Sequence, residues 1–282
     1  VETWTFRMLQ QASNRLANAL EGLGLKPGDC VGIVLPQCPE TGIAHIGLYK
    51  MGAVALPLAN LFGPEALKYR LSDSGAKAVI TDSENRQKIE EIRGDLPELK
   101  HLIQISEPVE KGDCSWNELL QKASDQYETR RTSAEDPCWI IYTSGTPANP
   151  KGALHAHRTI LGHLPGFELS HDFAPQPCDL AWTPADWAWL GGLANILLCS
   201  WFHGIPVLGF RFRRFDPEKA LALMEKHRVR NTFLPPTALK FIRQIPDLSG
   251  RFKNPLRSIM SAGEPLGKEM LQWGKESLGI QI

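Results

Sequence analysis

The order of apolar and polar segments predicts an α/β protein with mainly parallel sheets. Short apolar segments typical of strands alternate with amphipathic segments typical of helices along most of the 282 residues. Several predicted strands are continuously apolar, as expected when helices cover both faces of a sheet. The 24 glycines and 21 prolines are spread along the chain, which favours many short connections over a helical bundle.

The first half of the chain shows this alternation most regularly. Thr5 is suited to capping a helix that ends at Gly22–Gly24, and Lys26–Asp29 predicts a turn. The further predicted helices are Glu40–Met51, Pro64–Asp73, Ser83–Ile92 and Trp116–Ala123. The predicted strands are Cys30–Leu35, Ala53–Leu58, Ala78–Thr81, Leu102–Ile105 and Cys138–Thr143.

The second half repeats the pattern less regularly. Its predicted strands are Leu180–Thr183, Pro206–Phe210, Asn231–Leu234 and Ser258–Ala262. Its predicted helices are Leu193–Trp201, Pro217–His227, Thr237–Ile242 and Pro265–Leu278. The segment Pro165–Cys178 contains three prolines and is predicted to cross between two sheet subdomains, which we expect at residues 1–170 and 171–282.

Charge and cysteine content exclude several classes of protein. The chain has 31 Lys and Arg residues against 31 Asp and Glu residues, so no basic excess is available to bind nucleic acid by neutralising phosphates. Its six cysteines form no C-x-x-C pair, which disfavours a zinc site or a disulfide framework and favours a reducing, cytoplasmic location. The most apolar segment, Trp187–Phe202, is interrupted by Asn195, so no membrane span is predicted. Because the chain begins at Val1 rather than at Met, we expect it to be part of a longer protein.

The segment Tyr142–Gly152 is the most informative motif. It follows an apolar strand and places three hydroxyl side chains, a glycine and a lysine within nine residues. Small hydroxyl residues beside glycine allow backbone N–H and side-chain O–H groups to surround phosphate oxygens, and Lys151 adds a positive charge. A polar turn between two strands is the alternative. A Walker A loop is excluded, because Pro150 and Gly152 stand where that motif requires a glycine and a hydroxyl residue.

Three motifs, in order along the chain, resemble those of the adenylate-forming enzymes. Tyr142–Gly152 resembles their phosphate loop, and Ala185–Trp189 resembles the Ala-Asp-x-Gly-Trp segment of acetyl- and medium-chain acyl-CoA synthetases. Ser261–Leu266 resembles the Gly-Glu-Pro-Leu segment that packs on adenine. The resemblance covers nearly the whole chain. It implies a layered α/β/α/β/α arrangement of two mainly parallel sheets, with residues 1–282 forming part of the N-terminal AMP-binding domain, before the C-terminal lid domain.

The resemblance implies an acid–CoA ligase. ATP, with Mg²⁺, would activate a carboxylic acid as an acyl-adenylate, and the thiol of coenzyme A would then displace AMP to form a thioester. Neither step needs a nucleophilic side chain, because the protein's contribution is positioning and charge neutralisation. The implied partners are therefore small molecules.

The resemblance also implies roles for individual residues. Lys151 and Thr146 would be catalytic. The residues implied in nucleotide binding are Thr143, Ser144, Gly145, Thr146, Lys151, Gly263, Glu264 and Pro265, and those implied in acyl binding are Asp186, Trp189 and Gly191. The glycine pair Gly191–Gly192 would either leave room for a substrate tail or permit close helix packing. No metal ligands are expected among the protein side chains.

Departures from the family pattern leave alternatives open. Pro147 and Ala148 stand where the family usually has Thr-Gly, which removes a backbone N–H and disfavours a positive φ, and Ala188 replaces a glycine. The alternatives are a catalytically impaired nucleotide- or acyl-binding relative, an aryl-CoA ligase and a peptide-synthetase adenylation domain. The pattern does not distinguish alkyl from aryl acids. The family's Tyr-Gly-x-Thr-Glu segment is not found in residues 1–282, so we expect this chain alone not to complete adenylation.

Overall fold

The structure of the chain is a computed structural model that describes residues 2–143 and 149–282. The chain divides into two compact units, Val1–Arg158 (unit 1) and Thr159–Ile282 (unit 2). Unit 1 carries the phosphate-loop motif, and unit 2 carries the motifs implied in acyl and adenine binding. Among the described residues, no helix has both the length and the apolar character that crossing a membrane requires.

Unit 1 is built on one sheet with flanking helices. Its strands are β1 (Cys30–Val34), β2 (Val54–Pro57), β3 (Ala78–Thr81), β4 (His101–Gln104), β5 (Cys114–Ser115), β6 (Pro137–Thr143) and β7 (Lys151–Ala156). Its helices are α1 (Phe6–Gly22), α2 (Pro39–Met51), α3 (Pro64–Asp73), α4 (Ser83–Ile92) and α5 (Trp116–Lys122). The strand order is β5-β4-β3-β1-β2-β6-β7. Neighbouring strands are parallel except β6 and β7, which are antiparallel, so the predicted mainly parallel sheet is confirmed.

Local signals in the sequence account for these boundaries. The side chain of Thr5 accepts a hydrogen bond from the backbone N–H of Met8 at 3.1 Å and so caps α1, as predicted. Gly52 ends α2 with a φ of 71°, which glycine adopts without a side-chain clash. Strands β1, β2 and β3 are buried along their whole length, because elements of the unit cover both faces of the sheet.

Unit 2 contains a smaller parallel sheet. Its strands are β8 (Ala181–Trp182), β9 (Asn231–Phe233) and β10 (Ser258–Met260), in the order β10-β9-β8. Its α-helices are α6 (Thr159–Ser170), α7 (Leu190–Gly192), α8 (Cys199–Phe202), α9 (Pro217–His227), α10 (Pro236–Arg243), α11 (Leu248–Arg251) and α12 (Lys268–Trp273). Two π-helical segments, Leu193–Leu198 and Gly274–Leu278, directly follow α7 and α12.

Two segments of unit 2 differ from what their local sequence suggests. The predicted crossing Pro165–Cys178 begins inside a helix, because α6 continues through Pro165 to Ser170. An internal proline removes one helical hydrogen bond, but Leu164 and Phe167 are buried against a cluster that contains Ile196, and this packing outweighs the loss. The predicted strand Pro206–Phe210 is reduced to a single bridge between Val207 and Ala181, because proline has no N–H with which to extend the ladder.

The amino ends of the strands in unit 2 are held by a buried polar cluster. The guanidinium of Arg257 donates to both carboxylate oxygens of Asp179, at 2.7 and 3.1 Å, and to the carbonyl of His171 at 2.7 Å. The ring Nδ1 of His171 lies 2.8 Å from Oγ of Ser258. Burial lowers the pKa of His171 to about 4, so the ring is neutral at neutral pH. The cluster therefore ties the segment before β8 to the start of β10.

Candidate functional site

The phosphate-loop residues that the structure describes lie at one end of the β6–β7 pair. Thr143 is the last residue of β6, Lys151 is the first residue of β7, and the antiparallel register pairs them. Paired residues in such a register project to the same face of the sheet, and both side chains are exposed. The predicted residues Ser144, Gly145 and Thr146, and the departures Pro147 and Ala148, lie outside the described residues. We call such a pair of residues, facing each other across two strands, a rung. The Thr143–Lys151 rung places a hydroxyl and a positive charge side by side at the two ends of the loop motif.

The adjacent rung pairs Tyr142 with Gly152, on the face of the sheet opposite to the side chains of Thr143 and Lys151. The side chain of Tyr142 is buried, and its hydroxyl donates a hydrogen bond to Oδ2 of Asp73 at 2.6 Å. Asp73 is the last residue of α3. Burial and this hydrogen bond raise the pKa of Tyr142 far above its usual range. The tyrosine is therefore a protonated donor that connects the strand before the loop to α3.

Gly152 is required by the close approach of the Tyr142 ring. A Cβ atom at Gly152 would lie 2.9 Å from Cγ2 of Ile140 and 3.0 Å from Cζ of Tyr142. A glycine inside a strand commonly marks such an approach. The sequence predicts Lys151 and Thr143 as site residues but gives no sign that Asp73 is a partner of this segment. Gly152 is the one local signal of a close contact with the Tyr142 ring.

The unit 2 residues implied in substrate binding lie at the opposite edge of its sheet from the polar cluster. Parallel strands end at one edge, so the segments after β8 and β10 emerge there on either side of β9. The Oγ1 of Thr183 donates to the carbonyl of Phe233 at 2.7 Å and accepts from the N–H of Ala185 at 3.0 Å. The N–H of Leu234 donates to the carbonyl of Met260 at 2.9 Å. Ligands of open α/β sheets bind at such carboxyl edges.

Asp186 and Trp189 form the turn between β8 and α7. Oδ1 of Asp186 accepts a hydrogen bond from the N–H of Ala188 at 3.0 Å, and the carbonyl of Asp186 accepts from the N–H of Trp189 at 3.1 Å. Trp187 and Ala188 are buried, whereas the side chain of Trp189 is 40% exposed. The carboxylate of Asp186 therefore shapes the turn that presents the Trp189 indole at the surface of unit 2.

The two glycines after Trp189 lie in close contacts. A Cβ atom at Gly191 would lie 2.6 Å from Cε1 of Phe233, and one at Gly192 would lie 2.5 Å from the carbonyl oxygen of Asp186. Of the two alternatives for these glycines, close packing is the one observed within unit 2. Substrate binding by Gly191 stays a prediction.

The third motif follows β10. Gly263 has a φ of 100°, which a residue with a side chain rarely adopts. Gly263, Glu264 and Pro265 are exposed and precede α12, which begins at Lys268. The exposed turn leaves the backbone of this motif accessible to a ligand.

No metal centre is found in the part of the chain that the structure describes. No group of three or more His, Cys, Asp or Glu side chains in residues 2–143 and 149–282 is placed to hold a metal ion.

The chain matches the AMP-binding enzyme family over residues 1–282. It is 31% identical to an acetyl-coenzyme A synthetase of Vibrio cholerae serotype O1, over 99% of this chain and 46% of that protein. It is 30% identical to an acetyl-coenzyme A synthetase of Bacillus subtilis, over 100% of this chain and 49% of that protein. The chain thus spans about half the length of the curated relatives that it matches.

Solved structures show the same fold. The structure of the anthranilate CoA ligase AuaEII in complex with anthranoyl-AMP matches with a TM-score of 0.91 at 28% identity, over 98% of this chain and 53% of that chain. The acyl-CoA synthetase of Brucella canis matches with a TM-score of 0.87 at 29% identity, over 98% of this chain and 50% of that chain. Because the family match extends over all 282 residues, the chain belongs to the AMP-binding enzyme family.

Proposed function

We propose that the protein containing this chain is an acid–CoA ligase that works in two steps. A carboxylate oxygen of the acid attacks the α-phosphorus of ATP, the bond to the bridging oxygen breaks, and pyrophosphate leaves. The thiol sulfur of coenzyme A then attacks the acyl carbon of the adenylate, AMP leaves, and the thiol proton is released. The observation that carries this proposal is the pairing of Thr143 with Lys151 at the ends of the phosphate-loop motif.

Unit 1 would bind the β- and γ-phosphates of ATP. Lys151 places a positive charge beside the Thr143 hydroxyl, which would counter the negative charge that grows on the departing pyrophosphate. Both groups belong to adjacent strands of a sheet, so they would be positioned before ATP arrives. Ser144, Gly145 and Thr146 would complete the phosphate contacts, with Thr146 and Lys151 as the catalytic pair.

Unit 2 would bind the adenine and the acyl group. Gly263, Glu264 and Pro265 would line the adenine, since their exposed turn leaves backbone groups accessible. The exposed indole of Trp189 would cover the acyl group, held by the turn that Asp186 shapes. Mg²⁺ would bind mainly through the phosphates of ATP and would neutralise part of their charge. We also propose a cytoplasmic location, which the six unpaired cysteines support.

Thioester formation by the full-length protein tests this function. The protein would be incubated with ATP, Mg²⁺ and free coenzyme A, and with acetate, butyrate, octanoate or benzoate in turn. We expect pyrophosphate release and an acyl-CoA product with at least one acid, and the preferred acid would separate an alkyl-CoA from an aryl-CoA ligase. Adenylate without any thioester would favour a peptide-synthetase type of domain. ATP binding without pyrophosphate release would favour an impaired relative, as the Pro147–Ala148 departure allows.

A second measurement concerns the 282-residue chain by itself. We propose that it binds ATP but does not complete adenylation, since it spans about half of its relatives. Calorimetry would measure ATP binding, and a coupled assay would measure pyrophosphate. Pyrophosphate release above background with any acid of the panel would contradict this part of the proposal.

A further inference from the structure

The face of the β6–β7 pair opposite to Thr143 and Lys151 carries a buried tyrosine. Tyr142 directly precedes Thr143 in β6, but its side chain projects to the opposite face of the sheet, into unit 1. Its hydroxyl reaches Asp73 at the end of α3, 69 residues earlier in the chain. Its ring lies against Gly152, the residue that follows Lys151. The tyrosine therefore contacts both strands of the pair and the helix beneath them.

The geometry points to Tyr142 and Asp73 as positioning residues that hold the Thr143–Lys151 rung against α3. This inference rests on the proposed function of that rung. Neither residue would touch ATP. Their effect would pass through the backbone ladder, because the Tyr142–Gly152 and Thr143–Lys151 pairs are consecutive rungs.

The surroundings of the Tyr142 ring leave it little freedom. The Tyr69 ring meets it edge to face, with centroids 6.3 Å apart. The guanidinium carbon of Arg70 lies 5.5 Å from its centroid and 4.1 Å from that of Phe62. These contacts explain why an aromatic ring is buried at this position, and a phenylalanine ring would make them equally well. They do not explain the hydroxyl.

The partner of the hydroxyl indicates a specific role. Asp73 is the last residue of α3, where a negative charge opposes the helix dipole. A carboxylate at this position is unfavourable for the helix itself, so its contribution lies in the 2.6 Å hydrogen bond that it accepts from Tyr142. A charge-assisted hydrogen bond of this kind fixes both the direction and the depth of the ring. The depth of the ring in turn sets how closely Gly152 approaches.

Three variants of the 282-residue chain test this inference. Tyr142→Phe removes only the hydroxyl, and Asp73→Asn removes only the charge of its acceptor. Tyr49→Phe is the matched control, because the Tyr49 hydroxyl also hydrogen-bonds within unit 1, to Nδ1 of His45 at 2.8 Å, and its ring contacts Trp139 of the same strand β6. Each variant would be characterised by its melting temperature, by calorimetric titration with ATP and by hydrogen exchange of β7.

We expect Tyr142→Phe, which removes the hydrogen bond, to weaken ATP binding about tenfold, and Asp73→Asn, which leaves a neutral amide oxygen as the acceptor, to weaken it severalfold. The double variant should bind no more weakly than the weaker single variant. Hydrogen exchange of β7 should become faster in both. Tyr49→Phe should lower the melting temperature but leave ATP affinity and β7 exchange unchanged. Because Asp73 is exposed, we expect Asp73→Asn to fold, and this variant therefore tests the positioning role even if Tyr142→Phe does not fold.

Lys151→Ala separates failure of this inference from failure of the proposed function. If Lys151→Ala weakens ATP binding while Tyr142→Phe and Asp73→Asn do not, the positioning role is overturned and the phosphate site stands. If all variants, including Tyr49→Phe, lose affinity in proportion to their loss of stability, Tyr142 is only a core residue. If the unaltered chain binds no ATP, the proposed phosphate site is overturned together with the positioning role that rests on it.

Discussion

The two units hold their candidate site residues in different ways. In unit 1, Thr143 and Lys151 face each other across adjacent strands of a seven-stranded sheet, so the backbone register sets their spacing. In unit 2, the strands are only two or three residues long, and the site residues lie on turns beyond them. Those turns are tied by side chains such as Thr183 and Asp186.

The difference teaches which kind of residue each site depends on. Where a ladder of backbone hydrogen bonds sets the geometry, a surface side chain can be removed without disturbing its neighbours. Where side-chain hydrogen bonds take the place of a long ladder of backbone hydrogen bonds, the stability of the fold depends on single polar residues. We therefore expect polar substitutions in unit 2 to act on stability, and substitution of the exposed Lys151 in unit 1 to act on chemistry alone.

The largest expected effect is on the stability of unit 2. Asp179→Ala leaves the largely buried guanidinium of Arg257 without the carboxylate that it contacts at 2.7 and 3.1 Å. Removing one partner of a buried pair costs about 3–5 kcal/mol of unfolding free energy. Urea unfolding, with hydrogen exchange of β9 as the local probe, would measure it. Lys122→Ala, which removes an exposed pair with Glu118 in unit 1, is the control and should change little. Equal effects of the two substitutions would remove the contrast between the units.

The next effect is on the reaction. Lys151→Ala in the full-length protein should slow adenylation about 10²–10³-fold, as loss of one preorganised charge stabiliser does in other active sites. The urea midpoint should stay the same, because the Lys151 side chain is exposed and the rung is held by backbone hydrogen bonds. Single-turnover pyrophosphate release would measure the rate. An unchanged rate would remove Lys151 from the phosphate site, and an altered midpoint would show that the Lys151 side chain itself contributes to the stability of unit 1.

Acid should affect both units, because each buries a neutral histidine. Burial lowers the pKa of His171 to about 4 and that of His45 to about 3, against about 6.5 in an unfolded chain. Between pH 6.5 and 4 the unfolded state therefore binds protons that the folded state does not, so the unfolding free energy falls as the pH falls.

For His171 this linkage amounts to about 2 kcal/mol between pH 7 and pH 5. Urea unfolding at the two pH values would show it as the difference between the unaltered chain and His171→Asn, whose amide can still bond to Ser258. The groups facing the ring are Arg257, whose charge lowers the pKa further, and Asp179, whose charge raises it. Identical pH dependence in the two proteins would mean that His171 has the same pKa in the folded and in the unfolded chain.

The contrast between the units also governs how far the sequence predicts the fold. The bounds of helix Pro64–Asp73, strand Ala78–Thr81 and helix Ser83–Ile92 in unit 1 are predicted to the residue. Proline, glycine and capping side chains stand at their ends, and such signals are local. In unit 2, helix Pro217–His227 is also predicted to the residue and is capped by Asp216. The strands of unit 2 are nevertheless shorter than predicted and α6 passes through Pro165, because packing between distant segments determines those elements.

The sequence likewise predicts those parts of the candidate site that depend on local signals, and not those that depend on distant contacts. The sequence predicts a phosphate loop, since hydroxyl residues, glycine and lysine stand together in Tyr142–Gly152, and it draws attention to the segment that forms the turn at Asp186. It does not reveal that Tyr142 reaches Asp73, or that Gly191 lies against Phe233, because those partners are 69 and 42 positions apart along the chain. Such contacts become visible only when the strands are placed next to each other.

The smallest expected effect tests that packing through a pair of glycines in unit 2. At Gly162, inside α6, an added Cβ would meet no described atom within 4 Å, so Gly162→Ala should raise the unfolding free energy by about 0.4–1 kcal/mol. At Gly192 the same atom would lie 2.5 Å from the carbonyl oxygen of Asp186, which cannot move without the turn, so Gly192→Ala should be destabilising. Urea midpoints of the two variants would give opposite signs. Stabilisation by both would mean that the turn at Asp186 yields easily, and the side-chain ties of unit 2 would then be weaker than the backbone register of unit 1.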